Sequence, residues 1–122
     1  RVGLSEADAQ RSGIDYDRYV VPFEEIDRSV CDGVGEGFAK VLTRKHRGLI
    51  LGASIVHPHA GELIGELVLA MKHRIPLSKL ANLIHVYPTL GDVNRALGDA
   101  YFLGRVLPRV RPFTERVLAW MR

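Results

Sequence analysis

The run GFAKVLTRKHRGLILGASIV occupies residues 37–56 and falls into three parts. Residues 37–43 alternate apolar and polar side chains, as a half-buried strand does. Residues 44–48 (RKHRG) are basic and end in glycine, which suits a turn. Residues 49–56 return to an apolar run, and the sequence predicts an antiparallel hairpin whose second strand is the more buried. The basic turn is a candidate phosphate contact, against the plainer reading of a solvated loop tip.

A helix follows the hairpin. Apolar residues at 60, 63, 64, 67, 68 and 71 keep the i, i+3, i+4 spacing of an amphipathic face, after Pro58 and before Pro76. Gly61 and Gly65 lie four apart on one side, a spacing that predicts close packing of another backbone. Upstream, residues 1–4 read as a strand stub. Ser5 with Glu6 and Asp8 predicts a capped helix that Gly13 stops, and residues 15–23 read as a strand edged by Pro22. Residues 24–37 are acidic and glycine-bearing and predict a loop. Downstream, a short helix capped by Ser78 is expected, then an extended segment at 84–89 and a helix through Val93, Leu97 and Tyr101. Gly104 and Pro108 are expected to break it, with a last helix beginning near Pro112. Strands early and helices late predict an α+β fold, a small antiparallel sheet with helices packed on one face.

Composition narrows the function classes. The chain has 122 residues, 47% hydrophobic and 25% charged, in keeping with one folded domain over residues 1–122. No apolar run reaches membrane-spanning length, and neither a membrane nor nucleic acid is expected as a partner. Net charge is only +3, but it is uneven. Residues 1–40 hold nine acids against five bases, and 41–122 hold five acids against twelve bases. One cysteine, Cys31, excludes a redox pair within these residues. Arg1 in place of Met leads us to expect part of a longer polypeptide. Five histidines are scattered, and only His57 and His59 are close, which does not fix the converging ligand set that zinc requires. Glu62 and Glu66 read as salt-bridge groups. The glycines at 33, 35 and 37 lack the strand-then-helix context of a phosphate loop.

Residues 85–92, HVYPTLGD, concentrate the chemistry. An imidazole, a phenol and a carboxylate surround a proline, so an acid/base pair of Tyr87 and Asp92 is one reading. The other has Tyr87 packing and Asp92 capping the next helix.

Three motifs in order, VGLSEADAQ, GFAKVL with RGLILGASIVHPHAGELI, and LIHVYPTLGD, carry a resemblance. Over residues 1–103 the chain resembles the C-terminal dimerisation domain of the pyridine nucleotide-disulfide oxidoreductases. This resemblance implies a homodimeric enzyme with FAD and NAD(P) domains upstream, in the cytoplasm. It also implies a turn at 85–92 that reaches the partner subunit's flavin and disulfide, placing His85 and Pro88 near that flavin. The family commonly reads His-x-His-Pro-Thr-x-x-Glu there, so its acid/base histidine corresponds to Tyr87 and its orienting glutamate to Asp92. The Tyr87–Pro88 peptide is expected to be cis. A phenol with a reference pKa of about 10 is a poor base near neutrality. Tyrosine there is similar to the mercuric reductase branch, yet that branch carries a C-terminal cysteine pair and this chain ends AWMR. Disulfide and metal-ion substrates both stay open. The chain alone is expected to be inactive and to bind no FAD. Residues 104–122 form a helical extension outside the family core. The alternatives are a stand-alone dimerisation module, or an anionic-surface or nucleic-acid binder using Arg105, Arg109, Arg111 and Arg116.

Overall fold

The structure, a computed structural model, describes residues 1–121; Arg122, the last residue of the expected extension, lies outside them. Strands β2 (Tyr16–Pro22), β3 (Phe38–Arg44) and β4 (Ile50–Val56) form an antiparallel meander. The short β1 (Val2–Gly3) pairs on the outer edge of β4, giving the order β1-β4-β3-β2. The hairpin closes with Val41 opposite Ala53 and Leu42 opposite Gly52, and an irregularity after Leu42 sets Thr43 opposite Ile50. Gly52 is required where β1 leaves the sheet, because a Cβ there would stand 2.0 Å from Leu4 O.

Alternation in β3 sends Ala39, Val41 and Thr43 to one face, where α3 (Ala60–Lys72) and α4 (Asp92–Tyr101) pack. The core there joins Phe23, Leu67, Leu77, Leu80, Val93 and Leu97 to the inner strand residues. Lys40 points the other way, and its Nζ meets Glu6 Oε1 of α1 (Glu6–Arg11) at 3.0 Å. This α+β architecture, a four-stranded antiparallel sheet with its main helices on one face, is the one expected. Ser5 caps α1 as read, its hydroxyl accepting from Asp8 N while Asp8 accepts from Ser5 N. No helix of the described residues is long and apolar enough to cross a membrane.

Several local expectations are corrected. Residues 24–37 are not all loop. A 3₁₀ turn (Phe23–Glu25) and α2 (Asp27–Cys31) lie there, held by buried Ile26 and Ser29. Five residues are too few to show a helical period. The second hairpin strand is the more buried only narrowly, with one exposed position against two in β3, and Ala9 of α1 and Leu42 of β3 are both buried. Ser78 does not cap its helix; it lies inside a 3₁₀ turn (Leu77–Asn82) that follows Pro76. No break occurs at Gly104 or Pro108. A wide π-helical turn (Phe102–Val106) runs directly into α5 (Leu107–Trp120). Pro108 falls in the first turn of α5, directly after the wide turn, whose looser backbone makes room for the proline ring. Pro112 sits inside the helix and frees a carbonyl on a stretch whose residues are all exposed. Nothing lies within 4 Å of a Cβ built at Gly61 or Gly65, so that face of α3 is open within the chain rather than packed.

Candidate functional site

The segment from Leu83 to Gly91 joins the 3₁₀ turn to α4 and stands off the body as an irregular ridge. Its apolar side chains face outward: Leu83, Val86 and Tyr87 are exposed, and Ile84 is 99% accessible. Four such residues within five positions facing water would be unfavourable in an isolated chain. Polar contacts hold the ridge in place. The His85 side chain is only 9% accessible and turns inward, with Nε2 2.8 Å from Glu66 Oε1 of α3 and Nδ1 3.2 Å from Leu83 O. Asn94 of α4, fully buried, donates Nδ2 to the second Glu66 oxygen at 2.9 Å and to Leu63 O at 3.0 Å. Glu66 therefore joins α3, the ridge and α4 at one carboxylate.

Tyr87 is fixed from a third element. Its hydroxyl donates to Asp27 Oδ2 of α2 at 2.6 Å. That hydrogen bond, then the Asp27 charge beside it, holds the phenol above its ordinary pKa of 10. Tyr87 is consequently a neutral hydrogen-bond donor at neutral pH. The Tyr87–Pro88 peptide is cis, as expected from the resemblance. Thr89 Oγ1 closes the turn on Val86 O. Asp92 is buried at the first residue of α4, and its Oδ1 lies 3.4 Å from Arg95 Nε. Within the protomer, Tyr87 and Asp92 are thus held by different partners, Asp27 and Arg95. Pro88, Thr89 and Leu90 line a cleft of about 450 Å³ against Arg28, His59 and Glu62.

A second cleft, about 520 Å³, lies at the end of the sheet beside His57. His57 Nδ1 accepts from His59 N at 3.0 Å, which leaves Nε2 to donate to Ser29 Oγ at 3.2 Å; Ser29 in turn donates to Val34 O. Burial lowers the His57 pKa below its usual 6.5. The histidine pair thus fastens α2 to the start of α3. Cys31 is exposed at the end of α2.

Sequence reasoning picked out His85, Tyr87, Pro88 and Asp92, and the structure brings all four onto or beside one ridge. It missed Asp27 and Asn94, and it read Glu66 as a salt-bridge group without a partner. Asp27 lies 60 residues from Tyr87, and no local pattern signals such a pairing.

Comparison with known proteins follows the same outline. Residues 1–97 match the family described as the pyridine nucleotide-disulphide oxidoreductase dimerisation domain. A dihydrolipoyl dehydrogenase of Chlamydia muridarum is 38% identical over 92 residues, 75% of this chain and 20% of that protein. The mitochondrial dihydrolipoyl dehydrogenase of Dictyostelium discoideum is 41% identical over 101 residues, 82% of this chain and 21% of that protein. Among solved structures, LpdA of Mycobacterium tuberculosis superposes with a TM-score of 0.75 at 26% identity, over 80% of this chain and 21% of that one. The HOCl-induced flavoprotein disulfide reductase RclA of Escherichia coli gives 0.74 at 26% identity, over 84% of this chain and 23% of that one. The chain spans about a fifth of the length of these relatives.

Proposed function

The chain belongs to the dimerisation-domain family of the pyridine nucleotide-disulphide oxidoreductases, and on that premise we propose that it is the interface unit of a larger homodimeric, cytoplasmic flavoenzyme using NAD(P)H. In this reading residues 1–122 form one domain, with 104–122 appended to the family core, and the ridge at 83–91 faces the partner subunit. The observation that carries it is the exposed apolar ridge clamped from below by Glu66, Asn94 and Asp27. An apolar surface held this firmly by polar contacts is built to meet another surface.

The sheet is antiparallel throughout and contains no parallel strand-helix-strand unit among the described residues. Such a unit is what aims a glycine turn at a dinucleotide pyrophosphate. In this reading the FAD and NAD(P)H cradles belong to the domains proposed upstream. What the chain contributes near the partner's redox centre is Tyr87, held by Asp27, with His85, Pro88 and Asp92 on the same segment.

Tyr87 separates two substrate readings. A base that accepts a thiol proton near neutrality needs a pKa close to the working pH. A phenol held above 10 by Asp27 does not meet that need, and with its one proton given to Asp27 it turns an oxygen lone pair toward a substrate. This supports a mercuric reductase-like reaction on a soft metal ion over proton-coupled dithiol exchange. The relatives named dihydrolipoyl dehydrogenase supply the competing reading. Steady-state assays of the full-length protein with mercuric ion and with lipoamide discriminate them. The expected result is a kcat/KM for lipoamide well below that for mercuric ion. Tyr87→His is expected to raise lipoamide turnover by about 10²-fold or more, the usual worth of a positioned acid/base group. Efficient lipoamide turnover by the wild type, unchanged in Tyr87→His, would sink the metal-ion reading.

A further inference from the structure

Every residue from 107 to 121 is exposed, and α5 lies beyond residues 1–97 that match the family. Its sequence is nevertheless two-faced. Val106, Val110, Phe113, Val117 and Trp120 follow alternating spacings of four and three, which places them in one stripe, and Leu107, Leu118 and Met121 widen it. Arg109 and Arg116, seven apart, border that stripe. Glu115 is the only acid in residues 104–121, and it is tied to Arg111 at 2.8 Å on the opposite side. At the root of the helix, Arg105 and Arg109 both donate to His46 Nδ1, at 2.8 and 3.2 Å. That histidine belongs to the turn Arg44-Lys45-His46-Arg47, whose four residues are all exposed. The two most basic stretches of the chain thus meet at one imidazole.

We infer that α5 and the β3–β4 turn form a docking surface for an anionic lipid bilayer. The helix lies in the headgroup plane, with Val110, Phe113, Val117 and Trp120 inserted and Arg109 and Arg116 on phosphates. A helix of 14 residues, roughly 20 Å, carrying arginines along one side cannot span a bilayer but has the make-up of one that rests on it. This differs from the expectation of no membrane partner, which rested on the lack of a spanning run.

Other occupants fit less well. A second copy of α5 would bring Arg109 and Arg116 of both helices together with no carboxylate between them. A nucleic acid would satisfy the arginines but leave the aliphatic stripe in water. A membrane meets both halves, and the cytoplasmic leaflet carries the required negative potential.

Flotation of the full-length protein with lipid vesicles tests this independently of the reductase reading. Phosphatidylcholine vesicles are compared with vesicles containing about one-third phosphatidylserine. The protein is expected to float only with the anionic vesicles and to be released as salt rises. Arg109→Gln with Arg116→Gln is expected to lower the partition coefficient by about 30-fold, from about 1 kcal/mol for each basic residue at the surface. Trp120→Ser is expected to lower it as well, with reductase activity unchanged in both variants. The inference is overturned by absence of flotation, by equal binding to neutral vesicles, by a Trp120→Ser variant that partitions normally, or by capture on a nucleic acid in place of vesicles.

Discussion

Tyr87 shows how a residue's chemistry is set by a partner far away in the chain. Asp27 accepts its proton-bearing oxygen at 2.6 Å, and this hydrogen bond is the main cause of the raised phenol pKa. A group raised in the folded state contributes its stabilisation below the unfolded pKa of about 10 and loses it as pH climbs through the folded value. The Tyr87–Asp27 contact is therefore intact across the physiological range and is lost as the phenol ionises in alkali. Asp27→Asn is expected to bring the phenolate titration of Tyr87 back down toward its ordinary value of 10. NMR titration with ring-labelled tyrosine would follow it, and an unmoved Tyr87 curve would show that Asp27 is not the cause. Glu66 likewise reaches His85 from a distant element, and Asn94 clamps its second carboxylate oxygen. Neither relationship is written in local sequence, since 60 and 19 residues separate the pairs.

Among the elements, those with a full period were legible and those without were not. The β3–β4 hairpin, α3 and α4 show clean alternation or i, i+3, i+4 spacing over seven or more residues, and each stands where the sequence places it. α2 is five residues long and hidden among acids and glycines, so its role in carrying Asp27 and Ser29 came only from the structure. Prolines misled at 108 and 112, because an exposed helix can lose hydrogen bonds to solvent and a π-helical turn widens the backbone ahead of Pro108. The packing of α4 on the 3₁₀ turn was likewise invisible, though it aligns the ridge between them. It depends on Gly98, where a Cβ would stand 2.5 Å from Ala81 N and 3.0 Å from Leu77 O. Both obstacles are backbone and cannot rotate away. Gly98→Ala is expected to destabilise the protein by about 3 kcal/mol, toward the upper end for overpacking, and to loosen the ridge. Thermal or denaturant unfolding measures it, and a change below about 0.5 kcal/mol would contradict the close approach.

On the scale of the whole molecule, the charge imbalance along the chain turns into geography. Part of the acidic N-terminal charge is engaged locally, Glu6 by Lys40 and Arg18 and Asp8 by Arg11. The basic charge gathers where α5 leaves the body. The molecule thus presents two unlike surfaces, an apolar ridge beside the open face of α3 and a cationic amphipathic helix. In the proposed reading the first is the dimerisation surface, and the ridge's most exposed residue offers the sharpest handle on it. Burying Ile84 contributes about 2 kcal/mol per copy, and a two-fold interface counts it twice. The direct measurement is sedimentation equilibrium of the full-length protein, wild type against Ile84→Asp. A wild-type dimer whose dissociation constant rises by about 10³-fold or more in the variant is the predicted result. A wild type that is monomeric, or an Ile84→Asp variant that dimerises as tightly as the wild type, would contradict the ridge as the dimer interface.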